Sequence, residues 1–398
     1  MVDNILDHDV IIVGGGPGGA TAGYLLKKMG FDVIIIEKEI FPRQKLCGGL
    51  VSLKTVDLLY QIYGETIPSL RRQGIFNYLC DHHEIYYKFE RYITQNLSPI
   101  PFFFVERKVY DNFLLNHAKQ AGVKVLEGEK ISSVDISNCE VVLPNGKTLK
   151  SNFIIAADGA NSVVRQEFFK KGLLSEKEWK FNMGTGVEAH VDRKLLKKDM
   201  FDHPILVLGN VKWGYGWIFP NKDKLVVGLG ALNRKNKGKF ISVLKDMLKA
   251  IKVDPNAIKI SGHPVPYGNF VDNPVYDNKV ILIGDAGGFV DPMYGEGIYF
   301  TQRTGQFAAL AIQKYHNKKH MIKPYYMHRL HQEIYPHLKN FMRLRWLCFN
   351  FVNVGLKYLP IQFLIRLIEK KFMEIINGVR PFRLWKKELE INEVLLRK

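Results

Sequence analysis

The chain has 398 residues, of which 46% are hydrophobic and 24% charged, a composition typical of a folded globular protein with two domains and not of a disordered one. The formal net charge of +18 raises the question of an acidic partner, such as nucleic acid, an anionic lipid or a phosphorylated substrate, but a solvated lysine-rich surface is the default interpretation. No zinc pattern, helix-turn-helix or RNP-like motif indicates nucleic acid. The four cysteines have neither metal-ligand nor disulfide spacing, so neither a metal site nor a disulfide framework is expected.

Residues 10–39 read VIIVGGGPGGATAGYLLKKMGFDVIIIEKE and predict a strand, a glycine turn, a helix and a second strand. In the turn, Gly14 permits the tight bend, Gly16 lets the backbone approach a pyrophosphate, and Gly19 lets the helix pack closely on the strand. The N-terminus of the helix offers its N–H groups to the phosphates. Glu37 ends the second strand, where a carboxylate suits a ribose diol. This stretch predicts a dinucleotide site and leaves NAD and FAD both open; an ordinary βαβ turn would leave Glu37 without a role.

Further along, loops, helices and strands alternate. A glycine-containing loop at 41–52 leads to a helical pattern at 53–60, and alternating apolar residues at 76–99 predict strands. An Asn-Gly pair within 145–149 predicts a hairpin between two strands. Residues 153–166 predict a buried strand that ends at a polar turn.

Residues 106–128 predict a helix that is stopped by Gly122 and followed by a strand. Helical spacing places four apolar residues on its expected buried side: Val109, Phe113, Leu114 and Ala118.

Extended segments separated by turns fill residues 180–275 and predict a mostly antiparallel sheet. The pattern of strand, glycine turn and helix returns at 279–312. Beyond it the chain is helical, aromatic and basic, and the apolar residues of 361–376 fall on one helical face. Such a face packs on its own protein or also meets an anionic membrane surface. With acidic residues at the N-terminus and no apolar run of about 20 residues, we expect a cytoplasmic protein. The charge and the C-terminal pattern permit peripheral attachment to the inner face of the membrane and leave that alternative open.

Three separated motifs resemble those of the p-hydroxybenzoate hydroxylase-like FAD-dependent oxidoreductases. They are the glycine turn with Glu37, the sequence DGANSVVR from Asp158 to Arg165, and the sequence GDAGGFVDPMYGEGI from Gly284 to Ile298. The resemblance covers roughly residues 8–312, in the family's order, and implies FAD as the cofactor.

The class also implies roles for individual residues. Asp285 matches the aspartate that contacts the ribityl chain of FAD, and the helix after it would direct its N-terminus at the flavin ring. Arg107 matches an arginine at the edge of FAD, and Arg43 lies in a loop that brings a basic residue to the cofactor. The alternatives are that Asp158 caps a turn and that Arg107 is an exposed residue at a helix start. With one dinucleotide fingerprint in the chain, we expect electrons from an external donor, either NAD(P)H or a ferredoxin-like protein.

Residues 215–232, YGWIFPNKDKLVVGLGAL, resemble the signature of the geranylgeranyl reductase family: Tyr-x-Trp-x-Phe-Pro, seven or eight residues, then Gly-x-Gly. The loop PRQKLCGG at 42–49 is similar to a Cys-Gly-Gly loop of that family near the flavin and substrate. On a strand the three aromatic residues share one face, where a continuous aromatic wall suits a polyisoprenoid chain. Gly228 and Gly230 would leave a slot for the chain or the ring. The alternative is that the aromatic residues are the core of a sandwich.

The resemblance implies saturation of isolated C=C bonds in geranylgeranyl or polyprenyl chains of a lipid, a diphosphate or a prenylquinone, by hydride transfer from reduced FAD and addition of a proton. Such an alkene has no carbonyl to polarise, so positioning and a well-placed acid must carry the reaction. Cys47 is the thiol near that place in the family; it gates, protonates or simply packs beside the glycines.

Three rival functions share the predicted fold or cofactor. One is an aromatic or quinone monooxygenase, either a hydroxylase or an epoxidase. Another is a flavin halogenase, whose Trp-x-Trp-x-Ile-Pro pattern is not matched at Tyr215 and Phe219. The last is an FAD-holding redox sensor or membrane-docking protein without turnover.

The predicted fold is mixed α/β, with an interrupted Rossmann-like FAD-binding domain (1–75, 100–175 and 276–320), an antiparallel-sheet substrate domain (76–99 and 176–275) and a C-terminal helical region (321–398). The predicted cofactor-binding residues are Gly14, Gly16, Pro17, Gly19, Glu37, Lys38, Arg43, Cys47, Gly48, Arg107, Asp158, Gly284, Asp285, Gly295, Gly297 and Ile298. The predicted substrate-binding residues are Tyr215, Trp217, Phe219, Gly228 and Gly230, and the predicted catalytic residue is Cys47.

Overall fold

The computed structural model describes residues 7–95, 101–196 and 201–354. They form two compact units. The first falls within residues 1–44, 108–183 and 266–339, and the second within 45–107, 184–265 and 340–398. Motif order groups residues 45–75 with the cofactor domain, whereas in the structure they pack in the second unit. The amphipathic segment predicted at 361–376 lies outside the described residues.

The strands of the described residues are, in chain order, β1 (His8–Val13), β2 (Val33–Glu37), β3 (Leu50–Val51), β4 (Tyr78–Cys80), β5 (His83–Tyr87), β6 (Glu90–Gln95), β7 (Phe102–Phe104), β8 (Lys124–Glu127), β9 (Ser133–Asp135), β10 (Glu140–Val142), β11 (Thr148–Ala156), β12 (Met183–Asp192), β13 (Ile205–Leu208), β14 (Gly214–Pro220), β15 (Lys224–Leu232), β16 (Ile260–Pro266), β17 (Val275–Tyr276) and β18 (Val280–Leu282). The α-helices are α1 (Pro17–Lys28), α2 (Leu53–Tyr63), α3 (Ile67–Arg72), α4 (Arg107–Gln120), α5 (Val163–Lys170), α6 (Glu176–Phe181), α7 (Asn233–Asn236), α8 (Phe240–Ala250), α9 (Ile298–Tyr315), α10 (Ile322–Arg329) and α11 (Tyr335–Val354).

The first unit is built on a largely parallel sheet in the order β17-β18-β11-β1-β2-β8. Strand β1 lies in its interior, paired in parallel with both β11 and β2, which explains why its apolar run is continuous and not alternating. The predicted Asn-Gly hairpin is confirmed, because β10 and β11 pair antiparallel on either side of it. The predicted mixed α/β fold is therefore confirmed.

Helix α4 forms where the sequence predicts it, and Leu114 and Ala118 are buried as predicted. Its buried residues include Tyr110 and Asp111, whereas Val109 is exposed. The prediction of Val109 on the buried side is wrong. The helix instead buries Tyr110 and Asp111, whose polar groups find hydrogen-bond partners in other segments of the chain. The Tyr110 hydroxyl donates to Gln302 at 2.8 Å, and Asp111 pairs with Arg43.

The second unit contains a seven-stranded sheet in the order β16-β12-β15-β14-β13-β5-β6. Strands β12, β15, β14 and β13 pair antiparallel in turn, as predicted, and β13 pairs with β5 in parallel. Apolar residues on one face pack with helix α8. The opposite face, which we call the aromatic face, carries Trp217 and Phe219 and packs with Phe102 and Phe104 of β7.

Within the described residues, no helix combines the length and the apolar character needed to cross a bilayer. In the same residues, no group of three or more His, Cys, Asp or Glu side chains is arranged to hold a metal ion.

Candidate cofactor and substrate sites

In the glycine turn between β1 and α1, Gly14 and Gly19 pack tightly against backbone, whereas Gly16 has free space beside it. Gly14 has a φ of +103°, and a Cβ on it would overlap the carbonyl oxygen of Ala157. A Cβ on Gly19 would overlap the carbonyl oxygen of Gly14. At Gly16, in contrast, the one side-chain or backbone atom of the described residues within 4 Å of a built Cβ is an Arg43 guanidinium nitrogen, at 3.7 Å. Gly14 and Gly19 are therefore needed by the fold, whereas Gly16 leaves space for a ligand.

Glu37 is buried, and its carboxylate stabilises this turn by hydrogen bonds to backbone N–H groups. One carboxylate oxygen accepts from the backbone N–H of Gly15 at 2.7 Å, and the other accepts from that of Glu39 at 2.9 Å. Each carboxylate oxygen has a second lone pair, so both retain capacity for a ribose hydroxyl. The neighbouring Lys38 is exposed.

Arg43 is oriented toward the turn by a buried acid that the sequence analysis did not single out. Its Nη1 lies 2.9 Å from Oδ2 of Asp111, which is fully buried, and its guanidinium stacks on Phe41 at 4.6 Å. Asp111 lies far from Arg43 in the sequence, which explains why no local pattern indicated the pair. Arg107, at the first position of α4, is half-buried.

We expect Asp111→Asn to weaken FAD binding about 10-fold, because Asn keeps an acceptor oxygen for the Arg43 guanidinium but removes the carboxylate charge of the ion pair. The measurement is an FAD titration of the apoprotein followed by flavin fluorescence. In the Arg43→Ala background, Asp111→Asn should cost little more. Fully additive losses in the double variant would contradict a joint role.

Asp158 caps helix α5, as one sequence interpretation proposed. Its Oδ2 accepts from the backbone N–H groups of Val163 at 2.7 Å and Val164 at 3.3 Å. Burial raises the pKa of this carboxyl. Among the described residues, its Oδ1 is buried and has no hydrogen-bond partner. A buried acceptor without a donor is costly, so this atom fits a ligand that brings a donor.

Arg165 joins the second motif to the third and was missed as a structural residue. It is almost completely buried, and its guanidinium donates to the carbonyl oxygens of Ala160 at 2.6 Å and Ala286 at 3.0 Å. It also lies 3.7 Å from the centre of the Trp179 ring. Burial lowers the pKa of Arg165 to about 10, a shift that the charges of Asp158 and Asp285 oppose.

The third motif forms a tight turn ahead of α9. Gly284 has a φ of +51°, and a Cβ on it would overlap the hydroxyl of Thr301. The carboxylate of Asp285 faces the end of the motif, since Oδ1 lies 3.4 Å from a Cβ built on Gly297. Gly295 has a φ of +70°, and no atom of residues 7–95, 101–196 or 201–354 lies within 4 Å of a built Cβ. Helix α9 starts at Ile298, and in that part of the chain no side chain caps its N-terminus.

The loop between Asp285 and α9 is held by a pair that the motif alone did not reveal. Asp291 accepts from the backbone N–H groups of Met293 and Tyr294, both at 2.8 Å, through Oδ1. Its Oδ2 lies 2.9 Å from Nε2 of His337 in α11. These contacts fix the backbone on which Gly295 and Gly297 stand.

We expect Asp285→Ala to weaken FAD binding by about 10- to 100-fold, through loss of charge-assisted hydrogen bonds to the sugar hydroxyls of the cofactor. The FAD content of the purified protein and a titration of the apoprotein measure this. The exposed Asp272 in the same unit gives a charge-matched control, Asp272→Ala, which should retain FAD. Equal FAD affinity in Asp285→Ala and wild type would remove Asp285 from the cofactor site.

In the second unit, β14 places Tyr215, Trp217 and Phe219 on the aromatic face, as predicted. Ring centres of neighbouring members lie 5.9 and 6.2 Å apart. Gly228 and Gly230 stand beside them on β15, opposite Trp217 and Tyr215 respectively.

The indole of Trp217 occupies the space that the two glycines provide. Its Cζ2 lies 2.5 Å from a Cβ built on Gly228, and its Cζ3 lies 3.5 Å from one built on Gly230. The expectation of an open slot over the glycines is therefore wrong in this structure. The missing side chains instead let the ring lie directly on the strand.

The Cys-Gly-Gly loop lies on the aromatic face. A Cβ built on Gly48 would lie 2.7 Å from the Phe219 ring and 3.2 Å from Nε1 of Trp217. The Cys47 thiol is half-buried, and its sulfur accepts from the backbone N–H of Gly49 at 3.4 Å. The structure thus brings together, within one unit, the two stretches that carry the resemblance to prenyl reductases.

These features fit an FAD cofactor in the first unit. Gly16 and Gly295 leave open backbone, Asp158 presents a buried acceptor, and the N-terminus of α9 has no side-chain cap from any residue that the structure describes. Open backbone and helix N-terminal N–H groups suit phosphates and the electron-rich edge of a flavin.

Comparisons with known proteins agree. A family model described as an FAD binding domain matches residues 7–300. The chain is 28% identical over 328 residues to digeranylgeranylglycerophospholipid reductase of Methanocaldococcus jannaschii, covering 77% of each chain. It is also 28% identical over 326 residues to the chloroplastic geranylgeranyl diphosphate reductase of Nicotiana tabacum, covering 76% of this chain and 65% of that protein.

A geranylgeranyl bacteriochlorophyll reductase-like protein from Thermoplasma acidophilum has the same fold, with a TM-score of 0.70 at 20% identity over 98% of this chain and 94% of its own. Other activities occur among the similar proteins: tryptophan 2-halogenase of Chondromyces crocatus is 25% identical over 76% of this chain and 60% of its own. The matched family and the fold together place this chain in the FAD-binding domain family, as an FAD-dependent oxidoreductase with geranylgeranyl reductases among its relatives.

Proposed function

We propose that the protein is a reductase that saturates isolated C=C bonds in geranylgeranyl or related polyprenyl chains. The observation that carries this proposal is the aromatic face of Tyr215, Trp217 and Phe219, with the backbone of Gly48 seated on its rings. The two sequence relatives, a geranylgeranyl diphosphate reductase and a digeranylgeranylglycerophospholipid reductase, support the same reaction class.

The aromatic face suits a hydrocarbon chain for a physical reason. A polyprenyl chain offers no hydrogen bonds, so its affinity comes from removing apolar area from water, at about 25 cal/mol per Å². Rigid aromatic side chains supply such area at a small cost in side-chain entropy. Cys47 borders this face and is proposed to gate access to it.

The proposed cofactor contacts follow the geometry of the first unit. Gly16 and Arg43 would meet the pyrophosphate, Glu37 the ribose, and Asp285 the ribityl chain. Bound FAD, once reduced, supplies a hydride equivalent for the alkene. We propose an external electron donor, either NAD(P)H or a ferredoxin-like protein, and a substrate that is a prenyl lipid, a prenyl diphosphate or a prenylquinone.

We further propose that the protein acts at an anionic membrane surface. Trp346 and Leu347 on α11 are 58% and 46% exposed, and the chain carries a net charge of +18. Interfacial Trp residues combined with positive charge favour anionic lipid.

Co-sedimentation should show binding to phosphatidylglycerol vesicles and little binding to phosphatidylcholine vesicles. Replacing Trp346 and Leu347 with Ala should lower the affinity about 10-fold, through the loss of apolar area. Equal binding to both lipids, or none to either, would contradict attachment at an anionic surface.

The second candidate is an aromatic or quinone monooxygenase, favoured by one observation: a probable FAD-dependent monooxygenase from Pseudomonas aeruginosa shares the fold, with a TM-score of 0.65 at 17% identity over 87% of this chain and 96% of its own. Dithionite-reduced protein mixed with a geranylgeranyl lipid under argon separates the two. A reductase reoxidises its flavin at a rate set by the lipid. Reoxidation that requires oxygen would instead favour the monooxygenase.

A further inference from the structure

A buried acid lies on the aromatic face, outside every motif considered above. Glu188 stands on β12 and pairs with Gly228 of β15, which pairs in turn with Trp217 of β14. Its neighbours on β12, Val187 and Ala189, point to the opposite core, so Glu188 shares the face of Trp217. The indole fills the space at Gly228, between the two strands that carry Glu188 and Trp217.

Glu188 is only 4% exposed, and its two oxygens differ. Oε1 lies 3.1 Å from Nε2 of His190, whose side chain is 38% exposed. Oε2 is buried and, among the described residues, has no hydrogen-bond partner. A buried carboxylate oxygen without a donor carries a desolvation cost, which a protonated carboxyl or an incoming ligand would relieve.

The Cys-Gly-Gly loop crosses the face beside this acid. Leu46 lies 3.4 Å from a Cβ built on Gly186, two residues before Glu188. Gly48 reaches Phe219 and Trp217. The indole N–H of Trp217 is also buried and, within the same described residues, unpaired, so two polar atoms without partners lie on one apolar face.

Other ionisable groups of the described residues share the aromatic face with Glu188. His263 on β16 shares its face, because Gly262 faces Val187 in the opposite core. Lys224, farther along β15, is held by Glu106 at 2.8 Å. Lys45 and Cys47 are the sequence neighbours of Leu46, which contacts the face at Gly186. His190 is thus the half-exposed titratable group in direct contact with the acid.

We infer that Glu188 donates the proton in alkene saturation and that His190 then reprotonates Glu188 with a proton taken from solvent. This inference rests on the proposed reductase function. The O–H bond at Oε2 breaks, and its proton forms a C–H bond at one alkene carbon with the π electron pair. The other carbon receives the hydride equivalent that reduced FAD supplies. The carboxylate keeps the O–H electron pair, His190 then protonates Oε1, and a half-turn about χ3 exchanges the two oxygens.

The test is a single turnover under argon with reduced holoprotein and geranylgeranyl lipid. We expect Glu188→Gln to slow flavin reoxidation and product formation on the order of 100-fold, since general acid catalysis contributes about that much or more. FAD content and lipid binding to the oxidised protein should stay within threefold of wild type. In Glu188→Ala, added formate should restore at least a tenth of the lost rate, whereas a purely structural role would not respond.

Glu84→Gln is the matched control. Glu84 is also a buried Glu paired with a histidine, His203 at 3.4 Å, in the same sheet. It pairs with Ile205, a member of the opposite core, so it lies on the other face. Glu84→Gln should therefore turn over at the wild-type rate.

The outcomes distinguish a failure of the role of Glu188 from a failure of the proposed reductase function. The inference is overturned if the wild-type protein turns over and Glu188→Gln does so at a rate within threefold of it, or if Glu188→Gln no longer binds the lipid. Either result leaves the proposed reductase function intact. A wild-type protein that reduces no prenyl lipid overturns the proposed function and the inference together.

Discussion

The Gly16→Ala variant is expected to fold normally and to bind FAD on the order of 100-fold more weakly than wild type. Gly16 has a φ of −64° and extended ψ, which alanine adopts without strain. Among the described residues, the atom nearest to a Cβ built there is the Arg43 guanidinium nitrogen at 3.7 Å, so the apoprotein should keep its melting temperature. The methyl group would instead occupy the space through which the backbone approaches the pyrophosphate.

Gly19→Ala is the contrasting variant in the same turn. A Cβ at Gly19 would overlap the carbonyl oxygen of Gly14, so the backbone itself must move. We expect this variant to lose thermal stability as well as FAD. Differential scanning calorimetry of the apoproteins and FAD titration separate the two effects. A Gly16→Ala protein with wild-type FAD affinity would show that the pyrophosphate does not bind at this turn.

Gly228→Ala is expected to lower prenyl-chain reduction about 10- to 100-fold and the free energy of unfolding by about 1–3 kcal/mol. Its Cβ would lie 2.5 Å from the Trp217 indole and 2.8 Å from the carbonyl oxygen of Val187, so the indole must leave its place on the strand. The aromatic face would then lose its central ring.

Gly230→Ala provides the matched control on the same strand and face. Its Cβ would lie 3.5 Å from the indole, an ordinary van der Waals contact. We expect near-wild-type stability and turnover. In Gly228→Ala, a second change of Trp217→Phe should recover part of the stability, because a smaller ring leaves room for the methyl group. Equal behaviour of the two alanine variants would show that the position of Trp217 does not govern the reaction.

Local sequence patterns predicted the elements that local contacts determine. The βαβ unit from β1 to β2 needs only an apolar run, a glycine turn and an amphipathic helix, and it was found where predicted. The same holds for the aromatic residues of β14, because alternation along a strand fixes their common face.

Contacts between distant segments could not be predicted in this way. The face that α4 buries depends on Gln302 and Arg43, and Arg165 joins its own motif to the carbonyl of Ala286. The indole of Trp217 fills space on β15 only because β14 and β15 pair in one particular register. Glu188 could be recognised only after that register placed it on the aromatic face.

The mass of the product tests the central claim most directly. Reduced protein is mixed with a geranylgeranyl lipid under argon in ²H₂O, and the recovered lipid is analysed by mass spectrometry. Saturation predicts a product that has gained two hydrogens per reduced bond, with solvent deuterium in the chain and no added oxygen. A lipid unchanged under argon that gains an oxygen atom once ¹⁸O₂ is admitted would contradict a prenyl reductase and favour a monooxygenase.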